Sequence, residues 1–533
     1  MPVNPTYPGI YVEELPSSSH TIIAAPTSIT VFIGYSHPFL GEYAESTTNW
    51  GTAVRIFSFA DYERIFGGLF RSTELDTNLP YAVSEFFLNG GSDAYVVGIQ
   101  PKYYDSATTQ ADDIRPATGD LGGITFTSRQ VTDSTNPLEV TIRNVRSVSG
   151  SDVGDIMITC GSQRETYPSV KMLAGAIAGI TDRDYVNTRL ADSGLVTVTP
   201  VGGGTDYGNR FTGATLGGVL THKLATMPGP EHFTTPYQMF NAEDFTKVFD
   251  AEKSLDKVEI FNLLSIPGVA DLSVVSAALH FCESKRAFMI LDPQVDTGAD
   301  SSSGLPTIES TLATIPHGVP NGALYFPYLK TIDPLTSLER DRPPSGFVAG
   351  VYARTDNNRG VWKAPAGLET SLLDTPGVVD SGRMTDMRQG ILNPKGLNVL
   401  RSFPGAGTVI WGARTLVTET QEQWRYIPVR RTALFIEQSL VRNLGWVVFE
   451  PNDEPLWTAI RISIENFMLS LFRQQAFQGS SPSEAFLVQC DKTTTRQVDI
   501  DAGRVNILVG FRPLKPAEFV VIRISQLAGQ VQS

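Results

Sequence analysis

Cysteine is scarce in this chain: Cys160, Cys282 and Cys490 are the three among 533 residues. They are too few and too scattered for a disulfide framework or a zinc site, and they read as buried thiols of a cytoplasmic product. No run of eighteen apolar residues occurs, so no stretch reads as a membrane-crossing helix. The opening residues lack the basic and apolar regions of a secretory signal. The expectation is a protein that neither inserts directly into a membrane nor leaves by the Sec route. Positive charge is short as well: the net charge is −14 and no basic stripe is present, which removes the electrostatic term that dominates nucleic-acid binding.

What is present is length, and an uneven distribution of charge. A chain of 533 residues exceeds what one core usually serves, so two to four domains are expected. Apolar content of 41% with 18% charged residues belongs to a folded, soluble protein and not to a disordered one. From Arg401 to the end the chain carries 14 Lys and Arg against 12 Asp and Glu, whereas the first 400 residues carry 28 against 44. An acidic body with an Arg-rich end suggests two surfaces with different neighbours; ordinary solubility with chance clustering is the other reading.

The two ends pose a hydrogen-bonding question. Pro2, Pro5 and Pro8 hold the leader MPVNPTYPGIYVEE extended up to the Pro8-Gly9 turn. Ile10 and Val12 then alternate with Tyr11 and Glu13 in a strand too short to form a sheet alone. At the other end, RVNILVGF over Arg504–Phe511 places Val505, Ile507 and Val509 on one face. EFVVIRIS over Glu518–Ser525 does the same with Val520, Ile522 and Ile524. Either both ends fold back on their own domain, or each chain donates strands to its neighbours and a sheet is built from several subunits.

Between the ends, patterning predicts strand Ile29–Ile33, helices at Asp61–Phe66 and Tyr81–Leu88, and strand Ala94–Ile99, with Asn89-Gly90-Gly91 as a left-handed cap. Residues 101–232 are rich in Thr, Ser, Gly and Asp and read as a β-rich insertion. Alternating βαβ order returns with strand Val258–Leu264, helix Asp271–Ser284 and strand Ala287–Leu291. Strands follow at Asn398–Phe403 and Thr408–Trp411, then helices Val429–Leu444 and Asp453–Phe477.

Six patches resemble the sheath proteins of contractile phage tails, R-type bacteriocins and extracellular contractile injection systems. They are Tyr7–Glu14 (YPGIYVEE), Thr27–Gly34 (TSITVFIG), Ala82–Gly98 (AVSEFFLNGGSDAYVVG), Gly360–Gly367 (GVWKAPAG), Leu392–Asn398 (LNPKGLN) and Arg430–Leu440 (RRTALFIEQSL). They stand in family order, while residues 101 to about 232 match nothing in it. The resemblance implies a mixed α/β (α+β), multidomain fold. Residues 1–25 would be an extended arm for strand exchange, 26–100 with 233–395 a discontinuous middle α/β domain, 101–232 a β-rich surface insertion, and 396–533 an inner α/β domain ending in an exchanged strand.

It further implies a non-enzymatic sheath subunit, without cofactor or metal, that polymerises around an inner tube and contracts. Its implied partners are further copies of itself or sheath paralogues, the tube protein, and baseplate and cap proteins. Assembly would take place in the cytoplasm, within a phage tail or injection particle that can be released. Arg461 and Arg473, on the helix that begins near Asp453, are the tube-contact candidates; a solvated helix face is the alternative. A tail-tube or baseplate component of the same machine is the rival within the family.

Several strings imitate enzyme motifs. Asp296-Thr297-Gly298-Ala299 spells an aspartic-protease signature, but no second Asp-Thr/Ser-Gly stands in a comparable setting to share the proton, although a homodimer could provide one, so a loop is the preferred reading and a hydrolase using Asp296 the alternative. Gly90-Gly91-Ser92-Asp93-Ala94 runs from helix to strand, opposite to a nucleophile elbow. Gly202-Gly203-Gly204 lacks a phosphate-loop lysine. His280 and Cys282 lie two apart on a helix and face different ways.

Overall fold

The computed structural model describes residues 21–72, 75, 77–105, 111–132, 137–172, 183–203, 206–224, 237–293, 318–379, 384–417, 419–519 and 521–523. The chain divides into two compact units. One comprises residues 28–354 and 365–425, the other the described parts of 1–27, 355–364 and 426–533.

The first unit is organised by an eight-stranded sheet. Its strands are β1 (Thr30–Tyr35), β2 (Ala53–Ile56), β3 (Ala94–Ile99), β4 (Leu263–Ser265), β5 (Phe288–Leu291), β6 (Gly322–Phe326), β7 (Leu397–Phe403) and β8 (Gly407–Ile410), in the order β2-β3-β1-β4-β5-β6-β7-β8. The interior pairs from β3 to β7 are parallel, and antiparallel β2 and β8 close the edges. All six residues of TVFIGY in β1 are buried, as the continuous apolar run of a strand covered on both faces requires. Helices α1 (Phe59–Phe66), α2 (Asn78–Leu88) and α3 (Leu272–Lys285) belong to this unit, and α4 (Ser345–Arg359) begins in it. The Asp271 side chain caps α3 by accepting from the amides of Ser273 and Val274.

Three expectations are corrected here. The strand foreseen from Val258 is confined to Leu263–Ser265, because Lys257 and Val258 donate to Lys253 and Leu255 in turns. The strands near 398 and 408 complete the large sheet: β7 pairs in parallel with β6, and Val399 and Leu400 are fully buried. The boundary expected at 396 therefore does not separate them from the sheet. The helix expected to run to Phe477 ends at Arg473, where Gln475 takes a left-handed φ of 61°.

Residues 117–224 contain a core of their own, with Ile124, Phe126, Val140, Ile142, Ile156 and Ile158 at its centre. A four-stranded antiparallel sheet built on Leu138–Val148, Ser151–Cys160, Gln163–Lys171 and Leu220–Leu224 and a three-stranded sheet of Thr118–Leu121, Ile124–Ser128 and Val196–Pro200 supply it.

The second unit holds α5 (Ile427–Asn443), α6 (Glu454–Arg473), and the antiparallel pair β9 (Phe486–Gln489) and β10 (Leu508–Phe511). Pro428 sits in the first turn of α5, where no amide partner is lost. Asp453 caps α6, and Trp457, Ile460, Ile464, Phe467, Met468 and Leu471 form its buried stripe.

Candidate functional site at the chain ends

The segment that follows the amino-terminal arm lies extended and antiparallel to α5. Asn443 Oδ1 accepts from the Ile23 amide at 3.1 Å, while its Nδ2 donates to the Ile23 carbonyl at 2.9 Å and to Ser439 O at 2.8 Å. The side-chain amide thus stands in for a neighbouring β-strand. Ser439 Oγ accepts from the Ala25 amide at 2.9 Å and donates to Phe435 O at 2.7 Å. Arg431 Nη2 reaches the Thr27 carbonyl at 2.9 Å. The match at Ile23 and Ala25 is geometric: two extended residues advance about 6.6 Å and four helical residues about 6 Å, so these alternate positions meet Asn443 and Ser439 one turn apart, and the long Arg431 side chain reaches Thr27 from two turns beyond Ser439. Ile22 and Ala25 are buried by this docking, and Ile23 is exposed.

Arg431 is itself fixed by Asp356, through parallel bonds of 2.9 and 2.6 Å. Burial pushes the Asp356 carboxyl up from its ordinary range, and the guanidinium pulls it back.

At the other end, β9 and β10 form a two-stranded sheet. Register sets Phe486 opposite Phe511 and Val488 opposite Val509, on the face that packs against Phe477. Leu487 and Leu508 project from the opposite face and are 54% and 51% exposed. Among the described residues no third strand joins either edge. Beyond Pro513, Phe519, Val521 and Ile522 are 72%, 78% and 80% exposed. The described residues of 518–525, which are 518, 519 and 521–523, lie in no strand, and the rest of that segment is outside the described residues.

The remaining site residues fall as follows. Ile10, Tyr11, Val12, Val520 and Ile524 lie outside the described residues. Val509 is in β10, whereas Val505 and Ile507 precede it, half-buried in alternation with exposed Asn506 and Leu508. Arg461 is engaged within its own unit, donating to the Cys490 carbonyl, to Glu454 at 3.2 Å and to Thr458 at 3.0 Å. Arg473 is exposed in the last turn of α6. Sequence reasoning missed Asn443, Ser439, Asp356, Leu487 and Leu508. Only the four-residue spacing of Arg431, Phe435, Ser439 and Asn443 hinted at a shared helix face.

The enzyme-like strings are placed quietly. Asp93 is paired with Arg55 at 2.6 Å, Cys282 is buried while His280 is exposed, and Gly202 and Gly203 turn in open space. Asp296 and Gly204 lie outside the described residues. In a parallel sheet of this order, ligands bind beyond the carboxyl ends of the strands where the order reverses, here between β1 and β4. After β4, a Cβ on Gly268 would stand 2.2 Å from Asn78 Nδ2. Asp292, after β5, accepts from the amides of Gly268 and Ser345 at 3.0 and 2.8 Å. The chain's own groups occupy that position.

Two family models match: the phage tail sheath protein central domain over residues 247–416 and the phage tail sheath C-terminal domain over 419–526, together just over half of the chain. The chain belongs to the contractile tail sheath family. It is 30% identical over 161 residues to the tail sheath protein of Burkholderia phage BcepMu, covering 29% of this chain and 33% of that protein. It is 24% identical over 229 residues to that of Vibrio phage KVP40, covering 42% and 32%. It thus spans about a third of the length of each. The fold is that of solved contractile sheaths. The contracted sheath complex of the extracellular contractile injection system PVC matches with a TM-score of 0.57, 23% identity and 98% coverage of both chains. The contracted helical sheath of the anti-feeding prophage matches with 0.54, 23% identity, and 98% and 99% coverage.

Proposed function

We propose that this chain is the structural subunit of a contractile sheath, polymerising head-to-tail around an inner tube and shortening on a trigger to drive the tube through a target envelope. The observation that carries the reading is the β9–β10 sheet, which no third strand joins among the described residues and which exposes Leu487 and Leu508, together with the exposed Phe519, Val521 and Ile522. An open sheet edge on one copy and an apolar, strand-forming segment of another are complementary, and such heterologous contacts propagate as a helix. In this reading Ile10, Tyr11 and Val12 of one copy and Val520, Ile522 and Ile524 of another complete the sheet around Val505, Ile507 and Val509. Exchanged strands keep neighbours joined by continuous backbone while the lattice rearranges.

The work of contraction comes from subunit contacts formed in the shortened state. Arg473, exposed on α6, is the better remaining candidate for the tube, since Arg461 is committed internally. Baseplate and cap proteins would bound the polymer at its ends, in a phage tail or injection particle.

Removing residues 1–20 tests the reading. Soluble, folded subunits that no longer form tubules by negative-stain microscopy are expected, and normal tubules would refute strand donation. A particle of tube diameter would favour a tail-tube component instead.

A further inference from the structure

We propose that His37 is a positioning residue that pins the β-rich body of residues 117–224 to the eight-stranded sheet, so that this body is carried at one fixed orientation and not as a module on tethers. Strand donation plays no part in it. The chain passes between the two cores at a stem of three short strands, Lys102–Asp105, Ala111–Asp113 and Tyr237–Gln238, in which the outgoing and returning passes pair side by side. Two adjacent crossings leave a body free to swing about them, and a hold on a third segment removes that freedom. The segment after Ser128 supplies the hold. Phe126 and Leu138 belong to the β-rich core, whereas Val131 between them joins the core of the large sheet, and close by the Arg129 carbonyl accepts from His37 Nε2 at 3.1 Å.

The two ring nitrogens fit His37 for this role. The residue follows β1, is 1% exposed, and its ring meets those of Phe39 and Phe70 edge to face, with centroids 4.7 and 5.1 Å away. Nδ1 accepts from the amides of Leu40 at 3.1 Å and Phe39 at 3.4 Å. Amides only donate, so Nδ1 carries no proton and Nε2 carries one, directed at Arg129. Burial keeps the imidazole neutral by lowering its pKa to about 3. On the far side Arg129 gathers the β-rich body. Its amide donates to Leu195 O at 2.8 Å and its guanidinium to Ser193 O at 2.6 Å, so the strands Ile124–Ser128 and Val196–Pro200 are moored to one residue. Apolar contact at Val131 is non-directional and tolerates sliding; a hydrogen bond between two held backbones sets an orientation.

Two substitutions divide the roles of the ring. His37→Asn keeps an acceptor where Nδ1 stands, so the turn to Leu40 persists as an Asx turn, but the side chain stops short of Arg129. His37→Gln brings an amide nitrogen to the place of Nε2 and restores the donor. Spin labels on Glu63→Cys, in α1, and Thr166→Cys, in the β-rich body, report the distance between the two by pulsed electron paramagnetic resonance on unassembled full-length subunits. Both positions are exposed, and the native cysteines are buried.

One narrow distance distribution is expected with His37 in place, at least about a doubling of its width in His37→Asn, and a width within about a third of the original in His37→Gln. A broad or multiple distribution with His37 present overturns the fixed orientation. An unchanged width in His37→Asn, or equal broadening in both variants, overturns the assignment to Nε2. Hydrogen exchange separates positioning from folding: amides of Leu138–Val148 and Ser151–Cys160 are expected to keep their rates within about twofold in His37→Asn. Faster exchange there, in step with the broadening, would make His37 part of the folding of the β-rich body and overturn the positioning role.

Discussion

Arg431 grips Asp356 through two parallel hydrogen bonds, and both side chains are almost wholly buried, at 3% and 1% exposure. Removing one partner strands the other charge away from water. Asp356→Ala is therefore expected to destabilise the chain by about 3–5 kcal/mol, measured by denaturant unfolding. Replacing both, as Arg431→Met with Asp356→Leu, should cost clearly less than either single removal. Equal or greater loss in the double variant would show that the pair is more than a compensated burial.

Glu85 predicts a pH dependence. Burial, reinforced by the neighbouring Asp374 carboxyl, raises it from 4.5 to about 9. The folded chain keeps a proton there that the unfolded chain releases, so the group's contribution is complete below pH 4.5 and is lost as pH rises towards 9. The slope is at most about 1.4 kcal/mol per pH unit. Glu85→Gln should flatten the decline in Tm between pH 5 and 8.5; an unchanged profile would assign the decline to other groups.

Two glycines in helices give opposite expectations. A Cβ on Gly346 would lie 2.5 Å from the carbonyl oxygen and 2.6 Å from Cα of Ala82, backbone atoms with no rotamer to yield. Gly346→Ala is expected to destabilise by about 1–3 kcal/mol or more. Gly390, in the helix Asp386–Leu392, has open space around it, and Gly390→Ala should stabilise by roughly 0.5–1 kcal/mol. Thermal unfolding of the two variants should show shifts of opposite sign.

The outer face of the terminal sheet predicts a separation of folding from assembly. Leu508→Lys alters a half-exposed side chain and should leave subunit stability within about 0.5 kcal/mol. Tubule formation, followed by sedimentation, should nevertheless fall sharply. Unaltered sedimentation would remove this face from the interface.

The regular parts of the fold were readable because their signals are local. Strand Ala94–Ile99 appears as patterned, and the helix expected over Asp271–Ser284 is found at Leu272–Lys285, since an Asp cap and a 3.6-residue stripe need no distant partner. Gln475 shows the limit. A glutamine in the left-handed region ends α6 without any glycine or proline to announce it. The arm root was further out of reach, because Asn443 and Ile23 are 420 residues apart and nothing in an Asn on a helix says which backbone it will hold. Leu487 and Leu508 were hidden for the opposite reason: apolar strand residues read as core until the register shows which face is covered.

The uncovered side of β9 and β10 is a hazard before it is an asset. In the proposed polymer, a subunit not yet joined to sister copies displays Leu487 and Leu508 on a sheet that no third strand joins among the described residues. Production in excess of the growing ends that consume it should favour amorphous precipitation, so the supply of subunits has to keep pace with nucleation.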